Sequence, residues 1–193
     1  GTLTGLAQLV VEELECDWSK VKTEYPTPGQ NLARDRVWGS FSTGGSQGIR
    51  GSHDYVRKGG AVARQMLIEA AAENWKVPMN ECSAASSVIT HKPSGRTTTY
   101  GKVAAAAATL IPPQDVELKD PKNWKLIGKP VKRLYTLDKT TGKQVFGFDL
   151  QLPGMLNAAI KACPVFGGTL KSFDASSVNK WLCVRAVVAV EKN

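Results

Sequence analysis

The segment STGGSQGIRGS, residues 42–52, runs directly into the helical pattern of residues 53–75, and the chain reads outward from that junction. Its eleven residues include four glycines and three serines. Glycine tolerates φ > 0 and leaves room for a ligand to reach the backbone. The first N–H groups of the following helix have no partner within it, and the helix dipole adds partial positive charge there. A phosphate or pyrophosphate suits such a junction, with Ser46 and Ser52 offering hydroxyls and Arg50 a cation. Composition alone also describes a mobile surface loop ending in a Ser52 N-cap, the commoner meaning of such a segment. No Gly-Lys-Ser/Thr follows, which excludes a Walker A loop, and the G-x-G-x-x-G spacing is absent.

On the helix of residues 53–75, Val56, Val62, Met66, Leu67 and Ala70 form the predicted buried stripe. The Gly59-Gly60 pair inside it costs about 1 kcal/mol per residue relative to alanine, so it marks a close packing contact or a bend. Upstream, Leu3, Leu6, Leu9, Val10 and Leu14 share one helical face, with Thr2 or Thr4 as N-cap. Residues 19–25 alternate like a short strand that Pro26 and Pro28 end, and residues 29–41 read as a long loop. Downstream, residues 83–90 predict a strand, 91–96 a hairpin turn, 97–100 its partner, and 101–110 a thin alanine-rich helix.

Composition shifts at Ile111-Pro112-Pro113, where prolines and lysines read as an extended connector. Beyond it, residues 144–150, 156–163, 169–173 and 184–190 predict strands, with Asp174 or Ser176 capping a short helix to Trp181. The pattern describes an α+β chain with a first domain over 1–110, a connector over 111–127 and a second small unit over 128–193.

Hydrophobic content of 42% and charged content of 22% belong to a globular chain. No apolar run approaches the ~20 residues of a membrane-spanning helix. The net charge of +8 collects in the second half, where Lys119, Lys122, Lys125, Lys129, Lys132, Arg133, Lys139 and Lys143 face only Asp120 and Asp138. No nucleic-acid-binding signature accompanies them, so a solvated segment is expected and nucleic acid is not. Cys16, Cys82, Cys163 and Cys183 are too widely spaced for a zinc site, and buried free thiols are the default reading, with two disulfides arithmetically possible.

The order of motifs carries more than any one of them. Gly128-Lys129-Pro130, Arg133, Thr141-Gly142, Phe146, Asp149 and Leu152-Pro153-Gly154-Met155-Leu156 form a spaced set. It resembles the start of the α/β hammerhead domain of molybdenum hydroxylases, the xanthine dehydrogenase and aldehyde oxidase family. Gly1-Thr2-Leu3-Thr4-Gly5-Leu6-Ala7 resembles the end of that family's Gly-Gln-Gly pterin motif, and residues 42–52 fall where the family places a cofactor-contacting loop. The order of a molybdopterin segment, a Pro-rich connector and a hammerhead is similar to that in large subunits of the isoquinoline 1-oxidoreductase type.

The resemblance implies a partial molybdopterin-binding α+β segment followed by a hammerhead-like unit. It implies a molybdopterin cofactor, as the cytosine dinucleotide, in a large subunit that hydroxylates aldehydes or N-heterocycles with water-derived oxygen. Electrons leave such a protein through a small [2Fe–2S] partner. Carried over by position, Gly1 is the last glycine of the pterin motif, and Gly44, Gly45, Ser46 and Gln47 are loop contacts for the cofactor. The family's glutamate base belongs to a later part of a much longer polypeptide. Glu191 matches no motif, so no residue here receives a catalytic or metal-ligating role. The start at Gly1, inside a motif, reads as a fragment that is inactive alone, completed by the remainder of the large subunit and prone to self-association. A periplasmic or membrane-associated location also follows from resemblance alone. Two positions depart from the family pattern: Tyr135 stands where an aspartate is usual, and Leu182-Cys183-Val184 where Pro-Gly-Val is usual. The competing expectation is a non-enzymatic assembly module that uses the basic segment 119–144 on an acidic partner.

Overall fold

Two helices laid against each other carry the first part of the chain: α1, Thr2–Leu14, and α4, His53–Trp75. The computed structural model describes residues 1–37, 39, 41 and 44–190. It divides into the units Gly1–Gln144 and Val145–Asn193. Among the described residues the fold is α+β, with three short strands and the helices set around them.

Gly60 explains how closely α1 and α4 meet. A Cβ on Gly60 would lie 2.6 Å from the Val10 carbonyl oxygen and 3.1 Å from Glu13 Cβ, whereas one on Gly59 would meet nothing within 4 Å. Of the two readings of the glycine pair, the close contact holds at Gly60, and α4 continues unbroken to Trp75. The buried positions of α4 are therefore Arg57, Gly60, Ala61 and Ala70 to Ala72. Of the predicted stripe, Ala70 is buried, while Val56, Val62, Met66 and Leu67 are only half-buried. Small residues sit where the backbones approach, and the longer side chains are displaced to the flanks.

α1 is buried on more than one side, taking in Glu12 and Glu13 as well as Ala7, Leu9 and Val11. Its N-cap is Gly1, with no side-chain cap, in place of the expected Thr2 or Thr4. Thr4 is instead buried, and its Oγ1 accepts a hydrogen bond from Leu134 N at 3.2 Å.

The predicted strand over 83–90 is two strands. β1, Cys82–Ala85, turns at Ser86 and Ser87 into β2, Val88–His91, in antiparallel register with Cys82 opposite His91 and Ala85 opposite Val88. Ser86 and Ser87 both take positive φ, 49° and 66°. Tertiary bonds hold them there: Ser87 N donates to Glu15 O at 2.9 Å and Ser87 Oγ accepts from Asp17 N at 3.0 Å. β3, Thr97–Thr99, completes the order β1-β2-β3 through the predicted hairpin turn. α5, Tyr100–Ala107, buries Val103 and Ala107 on the core of Ala70, Ala71, Ala72, Cys82 and Ile89.

Residues 19–25 form no strand: a 3-10 turn, Trp18–Lys20, is capped by Asp17, and the rest is irregular. The expected loop over 29–41 contains α2, Pro28–Leu32, with a Thr27/Gln30 capping box and proline at its first turn. Trp38 and Ser40 of that loop, and Ser42, Thr43 and Glu191, lie outside the described residues.

In the second half the strands predicted over 144–150, 156–163, 169–173 and 184–190 are not formed. Among the described residues beyond 144, the regular elements are a 3-10 turn, Gly147–Asp149, and isolated turns, including those where the short helix to Trp181 was expected. Ala175, Val178 and Val184 are half-buried and the other described residues beyond 144 are exposed. A strand needs a partner edge for its N–H and C=O groups and a face to bury, and among the described residues of this unit no sheet forms and none is buried.

Candidate functional site

The two stretches that the family resemblance pairs, far apart in sequence, meet at the first turn of α1. The short helix α3, Gln47–Arg50, packs there. Two glycines make the approach possible, one from each stretch. A Cβ on Gly5 would lie 2.8 Å from Ile49 Cδ1, and one on Gly48 would lie 2.8 Å from Thr2 Cγ2. α1 begins without a side-chain cap and without an acidic residue in its first turn, so its leading N–H groups and dipole are not neutralised locally.

Two hollows open beside that turn. One, about 300 Å³, is lined by Gly1, Thr4, Gln8, Lys129 and Arg133 among others. The second, about 280 Å³, has Gly1, Gly5, Ile49, His53, Trp124 and Ile127 on its walls. Trp124 Nε1 is buried and has no hydrogen-bond partner, an N–H donor left over beside a hollow.

The predicted contacts divide. Gly1 lines both hollows. Gly44, Gly45, Ser46 and Gln47 are exposed at the outer end of α3 and line neither. Gly45 and Ser46 hold positive φ, 51° and 57°, and Gln47 N donates to Gly44 O at 3.0 Å, so this segment is a tight turn with open space above Gly44. Gly51 is closer packed, since a Cβ there would lie 3.1 Å from Gln47 O. Ser52 precedes α4 without capping it, and its Oγ accepts from Tyr55 Oη at 2.8 Å.

What the sequence did not disclose is the device that holds the far wall of the second hollow. Residues 119–127 cross α1 as a strap bound chiefly through its backbone. Glu12 Oε2 accepts N–H bonds from Lys125, Leu126 and Ile127 at 3.0, 2.7 and 3.1 Å, and Glu12 Oε1 pairs with Lys119 Nζ at 3.0 Å. Glu13, with a fully buried side chain, accepts from Lys119 N at 3.1 Å and pairs with Arg57 at 2.7 Å. Arg57 also donates to Lys119 O at 2.8 Å and its guanidinium lies 5.2 Å from the centre of the Trp124 ring. Burial works against the Glu12 charge. The hydrogen bonds from Leu126, Ile127, Lys119 and Lys125 outweigh it and hold the carboxyl below its usual range. Tyr100, whose hydroxyl donates to Leu14 O at 2.6 Å, is pushed well up from its ordinary value, first by burial. The hint in the sequence was Glu12-Glu13 closing an apolar helix, opposite a connector rich in lysine.

The basic segment is thus partly spent inside the fold. Lys119 and Lys125 pair with Glu12 and Glu15, whereas Lys129, Lys132, Arg133, Lys139 and Lys143 are exposed. All four cysteines are free, and Cys163 and Cys183 are exposed against the expectation of buried thiols. Among the described residues no group of three or more His, Cys, Asp or Glu is placed to hold a metal ion, and no helix is long and apolar enough to cross a membrane.

No family model matches the chain. It is similar to the beta subunit of isoquinoline 1-oxidoreductase from Brevundimonas diminuta, with 30% identity over 206 aligned positions covering 86% of this chain and 26% of the relative. It is also similar to a membrane-bound aldehyde dehydrogenase of Gluconacetobacter polyoxogenes, named with pyrroloquinoline quinone, at 29% identity over 92% of this chain and 23% of that protein. A nicotinate dehydrogenase subunit from Pseudomonas putida aligns at 26% identity over 98% of this chain and 16% of its own length. All three are named as oxidoreductases or dehydrogenases, two of them as subunits. The chain spans about a quarter or less of the length of these curated relatives.

Proposed function

We propose that the chain is a segment of the molybdopterin-binding large subunit of an oxidoreductase acting on aldehydes or N-heterocycles, and that it supplies an anion-holding part of the cofactor site. The observation that carries this reading is the meeting of the α1 first turn with the glycine-rich stretch through Gly5 and Gly48. An uncapped helix start with no local acid, exposed Lys129 and Arg133 at the adjoining hollow and an unpartnered Trp124 Nε1 all fit an anionic dinucleotide. Gly1 would approach the cofactor's phosphate or pterin end, and Gly44, Gly45, Ser46 and Gln47 would contact it across the open space above Gly44. When bound, the molybdenum centre supplies the oxygen-transfer and redox chemistry. The residues here bind and orient, and the strap held by Glu12 and Glu13 keeps Trp124 and Ile127 on the wall of the hollow. The base, a hammerhead fold for residues 128–193, the cytosine form of the dinucleotide, the remaining polypeptide, the [2Fe–2S] partner and a periplasmic or membrane-associated setting belong to this same proposal, as does inactivity of the segment alone.

The test is made in the full-length protein, by metal content per polypeptide at matched folded fraction. Gly45→Val is expected to lose most of its molybdenum, because Gly45 holds a positive φ that a β-branched residue disfavours and the added side chain stands beside the open space above Gly44. Equal molybdenum in wild type and variant removes the loop from the site. Bound quinone in place of molybdenum removes the molybdopterin reading and follows the name of the Gluconacetobacter relative.

A second reading rests on the exposed cations Lys129, Lys132, Arg133, Lys139 and Lys143, which would meet an acidic partner in a non-enzymatic assembly module. Retention of partner binding by a protein without molybdenum, lost steeply with added salt, favours it.

A further inference from the structure

The hairpin between β2 and β3 carries a side-chain cluster that the cofactor reading does not use. His91, at the end of β2, is 5% exposed. Its Nε2 lies 2.8 Å from Glu81 Oε2, and its Nδ1 lies 2.6 Å from Ser94 Oγ. Hydrogen-bond chemistry selects one neutral tautomer. A carboxylate only accepts, so in the neutral ring the proton sits on Nε2, and Nδ1 is the nitrogen that can accept from the Ser94 hydroxyl. Arg96 donates to the same Ser94 oxygen, from Nε at 3.1 Å and from its backbone N at 3.4 Å.

The surroundings keep this geometry. His91 N donates to Arg96 O, Gly95 N to His91 O and Lys92 N to Glu81 O, each at 2.9 Å. Gly95 takes φ +68°, which closes the turn, and Trp75 packs tilted against the imidazole with ring centres 6.4 Å apart. Ser94 itself is exposed. An exposed hydroxyl is therefore aimed at a buried base, the base is oriented by a carboxylate, and a guanidinium sits beside the oxygen. Those are the roles that define an activated serine, whatever their order in the chain.

We propose that Ser94 is a nucleophile that accepts the acyl group of small activated esters, with His91 as its base and Glu81 as a positioning residue. Ser94 Oγ attacks the ester carbonyl carbon while its proton passes to His91 Nδ1. The tetrahedral adduct then breaks its bond to the leaving phenolate, which takes up that proton, and Ser94 is left as an O-acyl ester. No electrons change hands. Arg96, which donates to Ser94 Oγ, is a cation beside the reacting oxygen, and Glu81 holds the Nε2 proton throughout.

The full chain is treated with p-nitrophenyl acetate and, separately, with an alkyl fluorophosphonate. Phenolate or fluoride release is followed, and the adduct is mapped by peptide mass spectrometry. One adduct per chain on Ser94 is expected, absent in Ser94→Ala. His91→Asn is expected to slow modification on the order of 100-fold or more. Glu81→Ala should slow it too, and Glu81→Gln should recover part of the rate because an amide oxygen still accepts from Nε2–H. That recovery separates positioning from packing. Circular dichroism checks that each variant keeps its fold, and the Glu81 pair decides the matter where His91→Asn does not. Modification of Ser94 no faster than that of the exposed Ser19 in the same chain overturns the proposal, as does an equal rate in folded His91→Asn.

Discussion

Residues 1–144 and 145–190 contain comparable apolar side chains, but only the first unit encloses any of them. In the first, Ile89, Val103, Ala61 and Ala71 are nearly sealed from solvent, and two glutamates and an arginine are buried with them. In the second, Phe148, Phe166 and Leu182 are fully exposed and no described residue is buried. The first unit has elements that cover one another: α4 lies on α1, the strap crosses α1, and β1 to β3 pair in sequence order. The described residues of the second have strand-like composition and form no sheet. Burial, and the regular structure it supports, comes from what an element is laid against.

That contrast breaks first at the buried ion pair. Arg57→Ala removes the cation paired with the buried Glu13, and a loss of about 3–5 kcal/mol is expected by urea denaturation. A loss below about 1 kcal/mol would show that the strap, not the pair, carries the first unit.

Glycine packing gives the next effect. Gly60→Ala drives a Cβ toward the Val10 carbonyl and is expected to cost about 1–3 kcal/mol. Gly59→Ala, in open space on the same helix, should instead stabilise by up to about 1 kcal/mol. Equal effects at the two positions would remove the close approach of α1 and α4.

Acid should loosen the strap before the helices. The folded-state value of Glu12 lies below the unfolded one, so its contribution is fully present above the unfolded value, near ~4.3. It is lost as pH falls through the lower folded value. Hydrogen exchange at residues 125–127 should rise over that interval in the wild type. In Glu12→Ala, which removes the acceptor, it should already be fast at neutral pH. Protection that is identical in both proteins would sink the assignment.

The smallest effect belongs to the second unit. Phe166→Ser and Leu182→Ser should change unfolding free energy by less than about 0.5 kcal/mol, yet reduce self-association measured by sedimentation, because exposed apolar surface favours it. A change above about 2 kcal/mol would mean these side chains are enclosed in solution.

Part of the fold around the candidate site was legible. The helix of residues 53–75 and the hairpin turn at 91–96 came from glycine, proline and periodicity, which act on the backbone locally, whereas the contacts read into residues 44–47 line neither hollow. The capping box at Thr27 and Gln30 is equally local, and it starts a helix inside the expected loop. The strap was not legible, because Glu12 holds backbone N–H groups of residues 125–127 and any side chains there would present the same donors.

By itself the sequence determined where α1, α4 and α5 run and where the turn at 91–96 falls. Those depend on helix periodicity and on φ restrictions that each residue carries with it. Only the tertiary structure decided that Gly60 is a contact while Gly59 is free, that Ser86 and Ser87 turn back with positive φ, and that Glu12 and Glu13 face inward. It also decided that the described residues after 144 form no strand. Each of these turns on a partner distant in the chain, and a residue's type does not name its partner.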